Sequence, residues 1–177
     1  MTSYSILDPS GAHETQESIC EWAAEAFGTA GSDLRVAGRT NEEMAELIRA
    51  VTSEAPQEDI LEEAADVLIV LSRLGQRIGC ELSLSENAGV LASCESPLNI
   101  VVRANYRLAI LIETLAFGGE KRLTLFSVWS HLLELIYSMG STPELVVDAK
   151  MAKNRKRVWQ RDGTGHGYHV RDKSRAP

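Results

Sequence analysis

Two pairs of carboxylates, Glu43 with Glu46 and Glu63 with Asp66, stand three residues apart in the stretches RTNEEMAELIRAV and EDILEEAADVLIVLSRL. Side chains at that spacing share one face of a helix. Four carboxylates converging from two packed helices would repel one another unless hard cations neutralised them. The cation that suits an all-oxygen set is Mg²⁺, with Mn²⁺ as its substitute, held by a few carboxylates, water and substrate phosphates. Two such ions can clamp a phosphoryl group and lower the pKa of an attacking water. Glu43, Glu46, Glu63 and Asp66 are therefore the candidate metal and catalytic residues. Glu42 and Glu62, each directly before a pair, either support it or lie on the surface.

A site for a nucleoside triphosphate also needs cations for the phosphate tail. The stretch AKMAKNRKRVWQRDGTGHGYHV supplies them, with Lys150, Asn154, Arg157 and Arg161 at helical spacing. Backbone amides of the glycine-rich run that follows can approach phosphate closely. The competing reading is a basic helix end favoured by the helix dipole, followed by a tail.

The elements that must position these residues are helices. Ile19, Trp22, Ala23, Ala26 and Phe27 recur at helical spacing before Gly28. Thr40-x-x-Glu43 matches a capping box, which would occupy Glu43 at a helix start. Against it, Leu34, Ala37, Met44, Leu47, Ile48 and Val51 continue one stripe, which predicts a longer helix beginning near Ser32 and Asp33. Pro56 fits the first turn of a third helix reaching Ile78, with Ile60, Ala64, Val67, Leu71, Leu74 and Ile78 inward. That helix is apolar all round over Val67 to Leu71, which predicts a central position. Residues 79–95 read as a loop with at most a short helical turn. Ser96-Pro97 opens a fourth helix with the stripe Leu98, Val101, Asn105, Leu108, Ile112 and Leu115. A fifth runs from about Leu123 to Met139, with Leu125, Val128, Trp129, Leu132, Leu135 and Ile136 inward, and a sixth from Thr142-Pro143 to about Arg161. No strand alternation or dinucleotide-binding glycine fingerprint occurs, so the expected fold is an all-α bundle of five to six helices. The expected organisation is a polar tail over 1–14, a catalytic domain over 15–161, and a Gly/His-rich loop and tail over 162–177.

At 177 residues the chain has the length of one domain with a real core. A net charge of −7 argues against nucleic acid or an anionic membrane as the main partner. Three cysteines without CxxC spacing suggest neither a disulfide framework nor a zinc site. Without a signal-peptide pattern or an apolar run of spanning length, a cytoplasmic location is expected.

The order Glu43-x-x-Glu46, a short gap, Glu63-x-x-Asp66, then Lys150-x-x-x-Asn154-x-x-Arg157 resembles the all-α nucleoside triphosphate pyrophosphohydrolase superfamily. That group includes MazG, the dimeric dUTPases and the phosphoribosyl-ATP pyrophosphohydrolases. The resemblance covers roughly residues 19–74 and 147–170. It implies Mg²⁺-dependent hydrolysis between the α and β phosphates, giving a nucleoside monophosphate and pyrophosphate. By the same resemblance the four paired carboxylates are metal ligands, two or more ions are held, and Lys150, Asn154 and Arg157 contact phosphate or sugar. It further implies a homodimer or homotetramer, often with the site completed by the second subunit. The ending DGTGHGYHV is similar to compact phage MazG-like enzymes, and among them to the MazZ-type dATP/dGTP diphosphohydrolases, which implies a purine substrate and a host-cytoplasmic setting. The gap between the acidic pairs is shorter than in the dimeric dUTPases, which disfavours dUTP. No matched residue identifies the base; Trp22 either stacks on it or belongs to the core.

Rival readings are a non-catalytic helical dimerisation module, a pyrimidine-specific enzyme of the same class, and a di-iron carboxylate bundle. The last expects Glu-x-x-His, and no histidine lies three residues after any paired glutamate. His131 reads as structural, and His166 with His169 as a weak zinc candidate in a glycine loop.

Overall fold

The computed structural model describes residues 13–85 and 95–161, Gly163, Gly165, and 167–169, the last two of these by backbone alone. The described residues form six helices and one short two-stranded ribbon. The expectation of an all-α fold holds.

α1 (Gln16–Phe27) opens on Thr15, whose hydroxyl accepts from the Ser18 amide while the Ser18 hydroxyl accepts from the Thr15 amide. α2 (Asp33–Thr52) opens on Ser32, whose Oγ accepts from the Arg35 amide at 3.2 Å. The helix therefore starts ahead of Thr40. The Thr40 hydroxyl donates back to the Val36 carbonyl at 3.0 Å, so no capping box forms there and Glu43 lies in the helix interior. Residues 53–56 join α2 to α3 (Gln57–Ile78), and Glu54 adopts a left-handed φ of 54° to turn the chain. Pro56 is the cap residue of α3, one position before the first turn where the sequence placed it.

α3 touches α1, α2, α5 and α6, which makes it the central helix as its apolar girth predicts. Every residue from Val67 to Gly75 on it is buried. Val67, Leu68, Leu71 and Leu74 are fully enclosed, and each such side chain stabilises the fold by about 1.5–3 kcal/mol. α4 (Pro97–Phe117) and α5 (Lys121–Ser138) pack on each other, and α4 also meets α2. Ser96 caps α4 with Pro97 in its first turn, as expected. The inward face of α4 is rotated from the predicted stripe. Ile100, Val101, Ala104, Leu108 and Leu111 are buried, whereas Leu98 is 42% exposed and Asn105 only half-buried. An apolar face on both sides of α4 left the sequence unable to choose between them. On α5 all six predicted inward residues are buried.

α6 (Pro143–Lys156) packs along α3 and ends five residues short of the expected Arg161. From Arg157 the backbone is extended, and β1 (Trp159–Arg161) pairs antiparallel with β2 (Gly167–His169), Trp159 opposite His169. A ribbon thus replaces the last helical turn and part of the expected tail. At the other end, His13 and Glu14 of the predicted polar tail dock on α6. His13 Nδ1 lies 2.6 Å from Asp148 Oδ2, and Glu14 accepts two bonds from Arg155 at 2.9–3.0 Å. No described helix is long and apolar enough to cross a membrane.

Candidate metal centre

The short link between α2 and α3 sets their carboxylates against each other. Glu43 comes from the middle of α2, and Glu63 and Asp66 come from the second turn onward of α3. One carboxylate oxygen from each of the three lies within 4.8 Å of the others. Glu43 is buried, and Glu63 and Asp66 are half-buried. Glu46, the fourth predicted ligand, is exposed one turn further along α2 and stands outside this group.

Such a cluster is electrostatically unfavourable, and the ionisations show it. Burial first, then Asp66, push Glu43 up to about 7, against the opposing pull of Arg39. Burial and Asp66 likewise raise Glu63 above the usual carboxylate range. Burial raises Asp66 too, although Lys150 pulls it down. Glu46 adds to the repulsion on both Glu43 and Glu63.

Arg39 and Lys150 offset part of this charge, and Arg157 also acts on Asp66. Arg39, one turn before Glu43 on α2, pairs with Glu43 and, at 2.6 Å, with exposed Glu42. Lys150 reaches from α6 to Asp66 and, at 3.0 Å, to Glu62 Oε1. Burial lowers the affinity of Lys150 for its proton, but Asp66 and Glu62 outweigh this and hold it charged. Glu62 also pairs with Lys153, so it braces the lysines rather than lying free on the surface. Lys150 acts on Glu63 only at longer range, and no cation among the described residues pairs with Glu63. Its Oε2 is buried and has no hydrogen-bond partner among the described residues. A buried carboxylate oxygen left this way costs about 1–3 kcal/mol or more unless something fills the gap. Three convergent carboxylates, one of which has an orphaned buried oxygen, fit a hard divalent cation.

The other predicted residues fall in two groups. Asn154 is buried; its Oδ1 accepts from Arg157 Nη1 at 3.0 Å, and its backbone carbonyl accepts from Trp159 Nε1 at 2.9 Å. Lys150 pairs with Asp66, Asn154 lines a cavity with Glu43 and Asp66, and Arg157 acts on Asp66 from the cap of α6. Arg161 does not join them. It turns away to donate to the Ala26 carbonyl at 3.1 Å and to that of Glu25. Trp22 is about nine-tenths buried, meets both Phe27 and Trp159 edge-to-face, and also lines the small cavity beside Glu43 and Asp66. This cavity of about 50 Å³ lies behind the carboxylates, bounded by Glu43, Asp66, Arg73, Asn154, Trp159 and Gly167.

Sequence reasoning missed Arg39 and Arg73. Arg39 was findable, because i to i+4 spacing from Glu43 brings opposite charges together on a helix. Arg73 stands seven residues after Asp66 and so on nearly the same face of α3. The His131 ring nitrogen lies 2.6 Å from the Ser127 carbonyl, a bond within its own helix. The zinc candidate at His166 and His169 lies outside the described side chains. Comparison with family models, curated proteins and solved structures found no match to this chain.

Proposed function

We propose that this protein is a Mg²⁺-dependent nucleoside triphosphate pyrophosphohydrolase of the MazG-like type. On this reading it cleaves between the α and β phosphates of a purine deoxynucleoside triphosphate, dGTP or dATP, to give the monophosphate and pyrophosphate. The observation that carries the reading is the convergence of Glu43, Glu63 and Asp66 with Glu63 Oε2 buried and unpartnered. The purine preference rests on the resemblance of the chain's ending alone.

Glu43, Glu63 and Asp66 would hold the ion. Mg²⁺, when bound, polarises phosphoryl oxygens and makes water more acidic. Glu46, exposed beside the group, takes the proton of the attacking water. Arg157 would meet the phosphate charge, with Lys150 held beside it by Asp66 and Glu62. Association into a homodimer or homotetramer belongs to the same reading.

The test is incubation with each dNTP and Mg²⁺ or Mn²⁺, with products resolved. Monophosphate plus pyrophosphate is expected, fastest with dGTP or dATP. Diphosphate plus orthophosphate would sink the cleavage position, and equal turnover of all dNTPs would sink the purine preference. No turnover, with no divalent binding by titration calorimetry, would favour a non-catalytic helical module.

A further inference from the structure

At Gly165 the ribbon after α6 is held against the bundle by a buried cation, alongside the exposed Arg161, which donates to the Ala26 and Glu25 carbonyls. Arg73 is 9% exposed and donates from Nη2 to the Gly165 carbonyl at 2.7 Å. Its guanidinium also lies over the Phe27 ring, 5.4 Å from the centroid. Burying a guanidinium is costly, and burial weakens its hold on the proton. No carboxylate pairs with it among the described residues, so its position is not explained by an ion pair.

The contact it makes is with main chain, and it is tight. Gly165 has φ +87°, and a Cβ there would stand 2.3 Å from Ala30 Cα and 2.5 Å from Ala30 N. A Cβ on Gly167 would stand 2.7 Å from Phe27 Cδ1. Both glycines let the ribbon seat on the end of α1 and the loop after it. From β2 the pairing passes to β1 and Trp159, whose ring packs edge-to-face on Phe27 at 5.0 Å. Trp159 in turn donates to the Asn154 carbonyl, and the Arg157 guanidinium lies over its ring, 5.9 Å from the centroid. Arg157 completes the chain through its bond to Asn154 Oδ1.

We propose that Arg73 is a positioning residue for substrate binding: by fixing the Gly165 carbonyl it seats the ribbon, and the ribbon through Trp159 fixes Asn154 and Arg157. This rests on the hydrolase reading above and adds to it a residue on the wall of the cavity behind the carboxylates, acting through the ribbon. The carboxylates are set by α2 and α3, and the ribbon meets them only at the cavity that Trp159 and Gly167 share with Glu43 and Asp66, so loss of the ribbon contact falls first on binding.

Two full-length variants test it from opposite sides of the contact, Arg73→Met and Gly165→Ala. Hydrogen exchange of amides 159–169 in the free protein should speed at least tenfold in both, with amides of α2 and α3 unchanged. KM for the preferred triphosphate should rise at least tenfold with kcat within threefold, because the lost interaction is ground-state binding. Mn²⁺ affinity of the free protein should stay within twofold. Combining Arg73→Met with Arg157→Lys should cost little more than Arg157→Lys alone, since both act on one contact. Unchanged ribbon exchange in both variants would overturn the proposal, as would a fall in kcat at constant KM, which is what partial unfolding produces. The exchange readout needs no turnover. An inactive wild-type protein would therefore overturn the hydrolase reading and the substrate-binding role of Arg73 together, while exchange still decides whether Arg73 holds the ribbon.

Discussion

Glu62 and Glu63 are neighbours in the chain and opposites in environment. Burial works against ionisation at both. At Glu62 the hydrogen bonds of Lys153 and Lys150 win, and the carboxyl is held below its ordinary range. At Glu63 burial and Asp66 win, and the carboxyl is pushed up with one oxygen unpartnered. One step along a helix turns a side chain by about 100°, which carries Glu62 toward α6 and its lysines and Glu63 toward Glu43 on α2. Glu62 therefore contributes to the folded state as it stands, and Glu63 detracts from it until a cation arrives. A carboxylate whose charge the fold leaves uncompensated is the better candidate for chemistry.

The contrast predicts unequal consequences for the same substitution. Glu63→Gln should cut pyrophosphate release at least about 100-fold and abolish tight Mg²⁺ binding, while leaving the unfolding midpoint unchanged or higher because repulsion with Asp66 is relieved. Loss of stability together with retained activity would reverse the assignment.

The pH dependence tests the same point without touching Glu63. Glu43 titrates near 7 in the folded chain against an ordinary value of 4.5. Between those two values the folded chain holds the extra proton, so unfolding free energy falls as pH rises through the window, by up to about 3 kcal/mol. Urea midpoints for wild type and Glu43→Gln, compared from pH 4.5 to 8 without divalent ions, should converge at the acid end, part progressively as pH rises towards about 7, and differ by a constant amount above it, with wild type the lower. Saturating Mg²⁺ should raise the wild-type midpoint most at the alkaline end.

Glu62→Gln should behave the other way from Glu63→Gln. It should lower stability by about 1 kcal/mol, because Lys150 and Lys153 lose a shared partner, and reduce turnover less than tenfold. Smallest of all, Glu42→Gln should stay within about 0.5 kcal/mol of wild type, since its pair with Arg39 is solvent-exposed. Chemical denaturation resolves both.

What the sequence made legible follows from the range of the forces involved. Helix periodicity, Ser32 and Ser96 as caps and the central role of α3 all come from local pattern and girth. Glu43, Glu63 and Asp66 were found because three-residue spacing fixes a face. Glu46 shares that face by spacing, yet lies just past the edge of the core, and spacing does not say where packing stops. The ribbon was out of reach. Its strands are three residues each, too short for alternation to register, and it is held by distant partners such as Phe27, Ala26 and Arg73. The same long-range docking ended α6 early and sent Arg161 to α1 instead of to the site.

The four-residue link over 53–56 also bears on the order in which the parts of the site assemble. It joins the two acidic helices as near neighbours in sequence, so closing that hairpin costs little chain entropy. The Lys150–Glu62 bond, by contrast, joins residues 88 positions apart. The acidic half is thus a local structure that carries its own Arg39, while the lysine facing Asp66 comes from far along the chain. A chain truncated after α3 keeps Glu43, Glu63, Asp66 and Arg39 and loses Lys150, so the charge that faces Asp66 must then come from dissolved cations.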